Sequence, residues 1–520
     1  MNKRLYLNLI GQLCTFGLTL GINFFLTPFI VSNLGQETYG FVGLANNFVN
    51  YITLFTIALN GMLSRYITVE YAKKNYREAS GYLSTAIITQ IVLAVALLIP
   101  MMLLASYVDK VVDISPEIVP DVRILWILVF LSFLINFSLS GLNVSTYARN
   151  RLDISAIISI VTNLLRSGIL LVTFLFFTPH VWYMGLASIV CNTLYILMQI
   201  PLKRKLMPEV KIKRKYFNKK YIFKLLVVGI WNSLNKLQQI LITGLDLLLT
   251  NVFISSIEMG LLSIAKTIPG IISTLIGTVS STFEPQMTIV YGTGDMDKFV
   301  GETKFAMKFG GLLCSVPIIG FLCFGRAFYS LWMPSLSSTD VYKVHILAIL
   351  TLLPEIFSVY IFPLYSVNTV TCKLKIPVLL SVAIGLLNIL IVFILLKITN
   401  WGVYVVAGVS SVLWLLRIFL FVPGYAAWSL GVNWKTFYPP LIRGGVNNIV
   451  LIVIFTLINR TVNINSWIEL VFVGLLAGIV GYIICFMMIF SKNERKVAMS
   501  RIANKISKNK FLSHNSKYNR

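Results

Sequence analysis

Long apolar runs follow one another along the whole chain and are separated by short polar stretches. Each run approaches the roughly 20 residues that a helix needs to cross the hydrocarbon core of a bilayer. The pattern predicts 14 transmembrane helices near 7–31, 41–61, 83–106, 122–144, 154–177, 181–201, 222–253, 260–282, 307–326, 342–367, 376–398, 402–422, 445–459 and 467–490. The first run is too long for a signal peptide and lacks an A-x-A-like cleavage site, so we interpret it as a retained helix.

Composition agrees with a membrane protein. Hydrophobic residues make up 57% of the 520 residues and charged residues only 12%, whereas soluble domains carry about 25% charged residues. A net charge of +25 is typical of nucleic-acid binding only when it forms a basic face on a soluble module. Here the cations occupy short loops, so we expect a lipid bilayer around the chain and no nucleic acid as a partner.

The six cysteines lie mostly inside apolar runs and form no C-x-x-C pair. This arrangement predicts neither a disulfide framework nor a metal site. We interpret the cysteines as packing residues, and we expect no cofactor.

Lysine and arginine are concentrated in alternate loops, which predicts the orientation of the helices. By the positive-inside rule these loops are cytoplasmic, so both termini lie in the cytoplasm and the chain spans the plasma (inner) membrane several times. The cations of this side include Arg65, Lys73, Lys74, Arg77, Arg149, Arg151, Lys203, Arg204, Lys205, Lys211, Lys213, Arg214, Lys215, Lys219, Lys220 and those of the tail after Ser491. The longest opposite loop, Tyr107 to Asp121, is acidic.

A basic stretch, 202–221, separates two blocks of six predicted helices and is interpreted as a cytoplasmic linker. The predicted divisions are an N-terminal lobe at 1–201, a C-terminal lobe at 222–422, two further helices within 423–490 and a basic cytoplasmic tail at 491–520. A shift of 220 positions pairs Gly40 with Gly260, Ala45 with Ala265, Thr68 with Thr288, Tyr71 with Tyr291 and Ala86 with Ala306. An even number of helices separates the copies, which predicts a two-fold axis along the membrane normal.

Polar side chains inside four predicted helices fall on single helical faces. The stripes of helices one, two, seven and eight are Asn8, Gln12, Thr15, Thr19, Asn23 and Thr27; Asn46, Asn50, Thr53 and Asn60; Asn232, Asn235, Lys236, Gln239, Thr243, Asp246 and Thr250; and Ser263, Lys266, Thr267, Ser273 and Thr274. A single Ser, Thr or Asn commonly bonds neighbouring helices. A whole stripe with Lys and Asp predicts a hydrated cavity, because a charge at that depth needs water or a counter-ion.

Six ionisable residues with a summed charge of +2 are predicted at membrane depth: Arg166, Lys236, Asp246, Lys266, Glu355 and Arg417. Arg166 shares a face with Thr162 and Asn163, so we expect it to line the cavity rather than bond backbone carbonyl groups. We expect Asp246 and Lys266 to form an ion pair because they lie at matching depth on consecutive helices. Arg417 is near the cytoplasmic end of its helix and is expected to snorkel.

Three features together resemble a known family: the stretch TPFIVSNLGQETYG from Thr27 to Gly40, the layout of six, six and two helices, and the four polar stripes. They resemble the polysaccharide and oligosaccharide flippases of the multidrug/oligosaccharidyl-lipid/polysaccharide exporter superfamily. The resemblance implies an all-α integral membrane fold with two six-helix lobes in a V, as in MATE transporters, plus two C-terminal helices. It also implies rocking between inward-open and outward-open states and a substrate of undecaprenyl-pyrophosphate-linked sugar units.

The predicted cavity suits such a substrate, because a pyrophosphate favours Arg and Lys while sugars favour amides and hydroxyls. The candidate substrate-binding residues are Arg166, Lys236, Lys266, Asn23, Asn46, Asn50, Asn232 and Gln239. In cation-coupled members of the superfamily, carboxylates of the second lobe bind Na⁺ or H⁺. The resemblance gives that role to Asp246 and Glu355 here, and the coupling ion stays open.

The sequence therefore predicts a flippase for lipid-linked oligosaccharide repeat units, of the O-antigen or capsule type, and not an enzyme. A polysaccharide polymerase and glycosyltransferases are its candidate protein partners. One alternative is a multidrug/cation antiporter, which would favour an acidic cavity and, in many members, a carboxylate in helix one. Another is a membrane-embedded polymerase or glycosyltransferase, which would need catalytic groups in a sizeable loop, whereas the longest loops here have roughly 15 to 20 residues.

Overall fold

The computed structural model describes residues 3–60, 63–149, 151–371 and 373–496, and all regular elements in those ranges are helical. The helices of the first half are α1 (Lys3–Asn60), α2 (Leu63–Ala72), α3 (Tyr76–Ser106), α4 (Val119–Leu139), α5 (Val144–Ala148), α6 (Leu152–Phe176), α7 (Trp182–Leu206), α8 (Lys219–Gln239) and α9 (Asp246–Phe253). The others are α10 (Ser256–Ser281), α11 (Glu284–Gly292), α12 (Met296–Trp332), α13 (Ser338–Leu352), α14 (Glu355–Val370), α15 (Lys375–Ile398), α16 (Val403–Leu420), α17 (Val422–Leu430), α18 (Tyr438–Thr461) and α19 (Trp467–Ile489). The predicted all-α membrane fold is confirmed.

Within the described part of the chain, 12 helical segments are long and apolar enough to cross a membrane. Predicted helices one and two share one of them, Cys14–Ile57 in α1. Predicted helix seven, 222–253, corresponds to α8 and α9, which are separated at Ile240–Gly244 and are not among these 12 segments. The predicted number of 14 is therefore approximate and depends on how these two stretches are counted.

The turn between predicted helices one and two is a kink and not a loop. α1 continues through it, and only Gly35 departs from helical geometry, with φ 80° and ψ 165°. Glycine alone adopts this combination without strain, because any Cβ would collide with the backbone. The chain can therefore change direction at Gly35 while both flanking segments stay helical.

Two compact units divide the chain. The first comprises the residues up to Ala265, Met333–Asp340 and Val378–Ser410. The second comprises Lys266–Trp332, Val341–Pro377 and the described residues from Ser411 onward. The division into lobes at 1–201 and 222–422 stays a prediction, and most of the predicted tail, 497–520, lies outside the described residues.

The second unit is packed around a buried tyrosine of α14. The Tyr360 ring is fully covered, and its hydroxyl group bonds the Ser315 hydroxyl of α12 at 3.0 Å. A Cβ on Gly311 of α12 or on Gly444 of α18 would lie 2.1 or 2.3 Å from ring atoms of Tyr360. The two glycines thus make the slot for the ring, and any side chain in their place would clash with it.

In the first unit, the acidic loop between α3 and α4 is tied to two helices. The Asn251 side chain of α9 accepts a bond from the Asp113 amide at 2.7 Å and donates one to the Asp113 carbonyl oxygen at 2.8 Å. Glu37 of α1 accepts from both the amide and the hydroxyl group of Ser115, at 3.2 and 2.7 Å. This predicted outer loop is therefore a fixed part of the first unit.

The order of helices repeats along the chain at the offset found in the sequence. Tyr76 and Met296, which begin α3 and α12, are about 220 positions apart. The first residues of α2 and α11, of α6 and α15, and of α7 and α16 keep this offset to within a few positions. The internal repeat is thus visible in the helices as well as in the residue pairs.

α1 and α10 cross within the first unit at equivalent positions of the two repeats. A Cβ on Gly40 would lie 2.8 Å from the Gly260 Cα, and a Cβ on Gly260 would lie 2.3 Å from the Gln36 carbonyl oxygen. A Cβ on Gly43 would lie 2.6 Å from the Ser263 hydroxyl oxygen. Gly40 matches Gly260 and Gly43 matches Ser263 at the offset of 220, and equivalent residues meet where a two-fold axis runs between them.

Gly260→Ala should destabilise the protein, because its new methyl group overlaps the backbone of α1 and forces the helices apart. We expect a loss of about 1–3 kcal/mol, the usual cost of overpacking a tight contact, measured by thermal unfolding of the purified protein. Gly270→Ala, on the same helix but with no atom within 4 Å of the new Cβ, is the matched control. Equal unfolding temperatures for the two variants would contradict a close crossing at Gly260.

Candidate functional site

Polar residues in the first half of α1 bond this helix to α6. Thr15 Oγ1 donates to the Ala156 carbonyl oxygen at 3.3 Å, and Asn163 Nδ2 donates to Thr19 Oγ1 at 3.3 Å. These members of the stripe hold helices together, as single hydroxyl groups commonly do in membranes. Asn23, farther along the same stripe, is exposed and free of this role.

The second half of α1 lies against α8, and two candidate residues meet there. Lys236 Nζ donates to Asn50 Oδ1 at 3.2 Å, and Ser233 Oγ donates to the Leu54 carbonyl oxygen at 2.8 Å. Lys236 is half-buried, whereas Asn50 is exposed. An ammonium group has three donors and the Asn50 oxygen uses one of them. Lys236 is therefore held in place and still able to donate to an anionic ligand.

A five-residue π-helix, Ile240–Gly244, separates α8 from α9. Such a bulge disturbs the usual intrahelical bonds and frees carbonyl groups, which need other donors where no water is present. Two side chains of α1 supply them: Asn47 Nδ2 and Tyr51 OH donate to the Gly244 carbonyl oxygen at 3.1 and 2.7 Å. The irregular backbone is thus stabilised by the same helix that holds Lys236.

α15 supports the bulge from another side. Asn388 Nδ2 lies 3.4 Å from the Leu241 carbonyl oxygen and 3.3 Å from that of Ile242, and it donates to both. A Cβ on Gly385 would lie 2.5 Å from the Leu241 Cβ, so the α15 backbone lies directly against the Leu241 side chain. α1 and α15 therefore both bond the backbone of the π-helix.

Asp246 begins α9 directly after the bulge and is 3% exposed. The first amides of a helix favour a negative charge at this end, and the carboxylate also interacts electrostatically with Tyr51. Its predicted partner, Lys266, is half-buried on α10 and belongs to the second unit. The ion pair between them stays a prediction.

Arg166 is half-buried on α6, and its guanidinium group interacts electrostatically with the Cys191 thiol of α7. Asn163, three residues earlier, bonds α1 instead. The observed neighbour of Arg166 is thus on α7, while that of Lys236 is on α1. Their convergence on one cavity stays a prediction.

Two ionisable residues of the second unit lie near each other around Tyr365. Arg417 is 5% exposed and packs over the rings of Trp414 and Tyr365, with 4.8 and 5.4 Å from its guanidinium carbon to the ring centres. The expectation that Arg417 snorkels is wrong, because aromatic faces attract the cation and cover it. The half-buried Glu355 of α14 has the Ser358 hydroxyl group beside its carboxyl group and also interacts with Tyr365.

The remaining candidates present their amides outward. Asn46 and Gln239 are exposed, and Asn46 Nδ2 donates to the Val42 carbonyl oxygen of its own helix at 2.9 Å. The side chain of Asn232 lies outside the described residues. The predicted stripes do not include Asn47, Tyr51 and Asn388. A signal for Asn388 was available, since a lone amide in a long apolar run needs a partner on another helix.

This arrangement of helices is similar to that of solved membrane transporters. The fold is similar to a solved structure of "Lipid II flippase MurJ, inward closed conformation", with a TM-score of 0.68, 15% identity and coverage of 92% of this chain and 98% of that one. It is also similar to a multidrug resistance MATE family transporter of the MOP superfamily in its inward-facing conformation, with a TM-score of 0.63, 17% identity and coverage of 80% and 94%. The chain is a multi-pass membrane protein with the fold of these transporters.

Its family follows from the sequence match. A family model described as "Polysaccharide biosynthesis protein" matches residues 5–288, more than half of the chain, so the protein belongs to that family. It is also 25% identical over 504 residues to the "Uncharacterized membrane protein EpsK" of Bacillus subtilis (strain 168), a match that covers 95% of this chain and 97% of the relative. The resemblance seen in the sequence is confirmed at the level of the family.

Asn388→Leu should abolish transport although it costs little stability. The carbonyl groups of the bulge lose a donor, and α8 then loses its fixed position. Asn459→Leu is the matched control, since it removes a comparable bond to the Cys323 carbonyl oxygen in the second unit. Both changes should cost about 0.6 kcal/mol, the average for such bonds in membranes. Surface polysaccharide, compared at equal protein levels, should be lost only with Asn388→Leu; equal loss in both variants would contradict a special role of the bulge.

Proposed function

We propose that the protein is a flippase that moves undecaprenyl-pyrophosphate-linked oligosaccharide repeat units from the cytoplasmic to the outer leaflet by alternating access. Membership of the polysaccharide biosynthesis family supports a role in this pathway. The likeness to a structure named as a lipid II flippase supports the fold for it. The observation that carries the proposal is the contact of Lys236 with Asn50 on the polar faces of α8 and α1.

The proposed division of labour follows from the chemistry of the side chains. Lys236, with free donors, and Arg166 bind the pyrophosphate, where charge-assisted bonds are strong. The exposed amides of Asn50, Asn46 and Gln239 bind sugar hydroxyl groups, which both donate and accept. The polyprenyl tail stays in the lipid. Translocation breaks no covalent bond, so the role requires no catalytic residue.

The proposed setting is the plasma membrane with both termini in the cytoplasm, as the distribution of cations predicts. Glycosyltransferases supply the substrate on that side, and a polysaccharide polymerase receives it on the other. Na⁺ or H⁺ coupling is proposed for Asp246 and Glu355. Both carboxyl groups are protected from open solvent. A carboxylate in such a place is costly alone, so binding of a cation or a proton stabilises it.

Lys236→Ala or Arg166→Ala should abolish surface polysaccharide while the protein still folds and inserts, because removing a charge makes a helix easier to insert. Arg166→Lys should restore only part of the activity, since lysine lacks the planar fork that grips a phosphate through two bonds. Lys224→Ala, an exposed lysine on the same helix as Lys236, is the control and should stay active. Full activity of both alanine variants at normal protein levels would remove these residues from the mechanism.

Asp246→Asn, Lys266→Gln and the double variant distinguish an ion pair from a coupling site. If Asp246 only neutralises Lys266, each single change leaves an unpaired charge, which is the costly state, and the double variant should transport better than either. We expect this outcome. A double variant as inactive as Asp246→Asn alone would instead make Asp246 a ligand of the coupling cation. The measurement is translocation of lipid-linked oligosaccharide in vesicles at equal protein content.

A further inference from the structure

The part of the basic linker that lies between α7 and α8, residues 207–218, has a fixed conformation. Hydroxyl groups of α3 bond its backbone. Ser80 Oγ accepts from the Lys211 amide at 3.0 Å. Ser84 Oγ donates to the Lys211 carbonyl oxygen and accepts from the Lys213 amide, both at 3.2 Å. Ser80 and Ser84 are 2% and 0% exposed. Two buried serines thus bind the linker backbone, while the side chains of Lys211 and Lys213 stay exposed.

Both ends of the linker are also anchored. At its start, Met207 and Val210 are buried in one apolar cluster with residues of α2 and α3, and Lys203 Nζ donates to the Val210 carbonyl oxygen. At its end, the Asn218 amide donates to Thr85 Oγ1 at 3.0 Å. The linker is therefore built as a structured surface element and not as a loose connection.

Tyr221 completes the attachment where α8 begins. A Cβ on Gly81 would lie 2.6 Å from the Tyr221 ring, so the ring lies directly on the α3 backbone. Its hydroxyl group donates to Glu78. Burial, and then the bond to Glu78, raise the pKa of Tyr221 to about 12. The raised pKa means that the hydroxyl group keeps its proton and can donate it to Glu78.

Four cations of the linker form what we term the basic platform: Lys211, Lys213, Arg214 and Lys215. All four are exposed, and none has an ion-pair partner among the residues that the structure describes. Glu209, the nearest acidic residue in the sequence, is bonded to the Tyr71 hydroxyl group. The side chain of Ile212, between Lys211 and Lys213 in the sequence, is 40% exposed. Lys215 Nζ lies over the Tyr216 ring, 5.2 Å from its centre. The platform thus combines exposed cations with an apolar side chain in one short stretch.

Membrane topology alone does not account for this construction. The positive-inside rule depends on how many cations a loop carries and not on the conformation of the loop. A flexible loop would serve it equally well, and buried Ser80 and Ser84 would be unnecessary. A fixed array of cations is useful when several must contact one charged surface together.

We propose that the basic platform binds the headgroups of anionic phospholipids in the leaflet that it faces. The linker starts directly after α7, which is long and apolar enough to cross a membrane, so we expect the platform at the depth of the headgroups. Clusters of lysine and arginine at this position attract anionic lipids, and Ile212 can enter the boundary of the acyl chains. An acidic protein is the competing partner, but it would not need the platform to lie beside a membrane helix.

The test uses the full chain, purified in detergent with equimolar dioleoyl-phosphatidylglycerol and dioleoyl-phosphatidylcholine, with native mass spectrometry to count retained lipids. The unmodified protein should retain the anionic lipid preferentially. K211Q/K213Q/K215Q should reduce that preference at least about tenfold, since each lysine near an anionic surface contributes roughly fivefold. K298Q/K375Q/K492Q removes three exposed lysines of the same predicted side from the second unit and should lower the preference much less.

A second variant shows whether lipid binding depends on the fixed arrangement of the cations or only on their number. S80A/S84A keeps every cation but removes the bonds that fix the backbone, so it should lower the preference several-fold. An unchanged preference in S80A/S84A, or an equal loss in the control triple variant, would overturn the proposal in favour of diffuse charge. A third pair of results would also overturn the proposal. The unmodified protein would show no preference for the anionic lipid, and K211Q/K213Q/K215Q would still lose surface polysaccharide. That outcome would indicate a protein partner for the platform. Lipid retention does not require transport, so a negative result leaves the flippase proposal standing.

Discussion

A carbonyl group inside a bilayer has no water to supply a hydrogen bond, and this constraint organises the candidate site. The π-helix after α8 frees carbonyl groups in the middle of a helical stretch. Asn47, Tyr51 and Asn388 supply the missing donors from two other helices. These bonds fix α8 relative to α1 and α15, and so they also fix the two charged residues on either side of the bulge, Lys236 and Asp246.

α1 is the common element of the first unit. Its first half bonds α6, its second half bonds α8, and it crosses α10 where glycines let the backbones approach. Glu37, just after the kink at Gly35, also holds the acidic loop. Because one helix carries all these contacts, a change in its bend at Gly35 would alter several of them together. Its polar side chains therefore serve both packing and the proposed site.

Periodicity and composition were sufficient to predict the all-α membrane fold, the repeat and the polar faces. They also placed Lys236 and Asn50 on the polar stripes of two predicted helices, and the structure finds these two side chains in contact. These features depend on hydropathy and on the spacing of 3.6 residues per turn, which any sequence displays directly. The family resemblance rested on the same pattern and was confirmed by the match over residues 5–288.

Features that depend on tertiary contacts could not be predicted. The π-helix at Ile240–Gly244 is stabilised by side chains about 150 or more positions away in the sequence, so no local pattern marks it. Arg417 was expected at the membrane surface, but the rings that cover it come from its own helix and from α14. The apparent loop at Gly35 is a kink, because helical bonding continues on both sides of one residue with positive φ.

The crossing at Gly40 and Gly260 has a further consequence for a chain built from two repeats. In a symmetric dimer, a residue on the axis meets its own copy, so any gain in bulk occurs on both sides at once. Within one chain the two copies are separate residues and can diverge. Gly43 and Ser263 show the result: a glycine on one side leaves the space that the serine occupies on the other. Covalent linkage of the repeats thereby permits an asymmetric packing that an identical pair of subunits could not adopt.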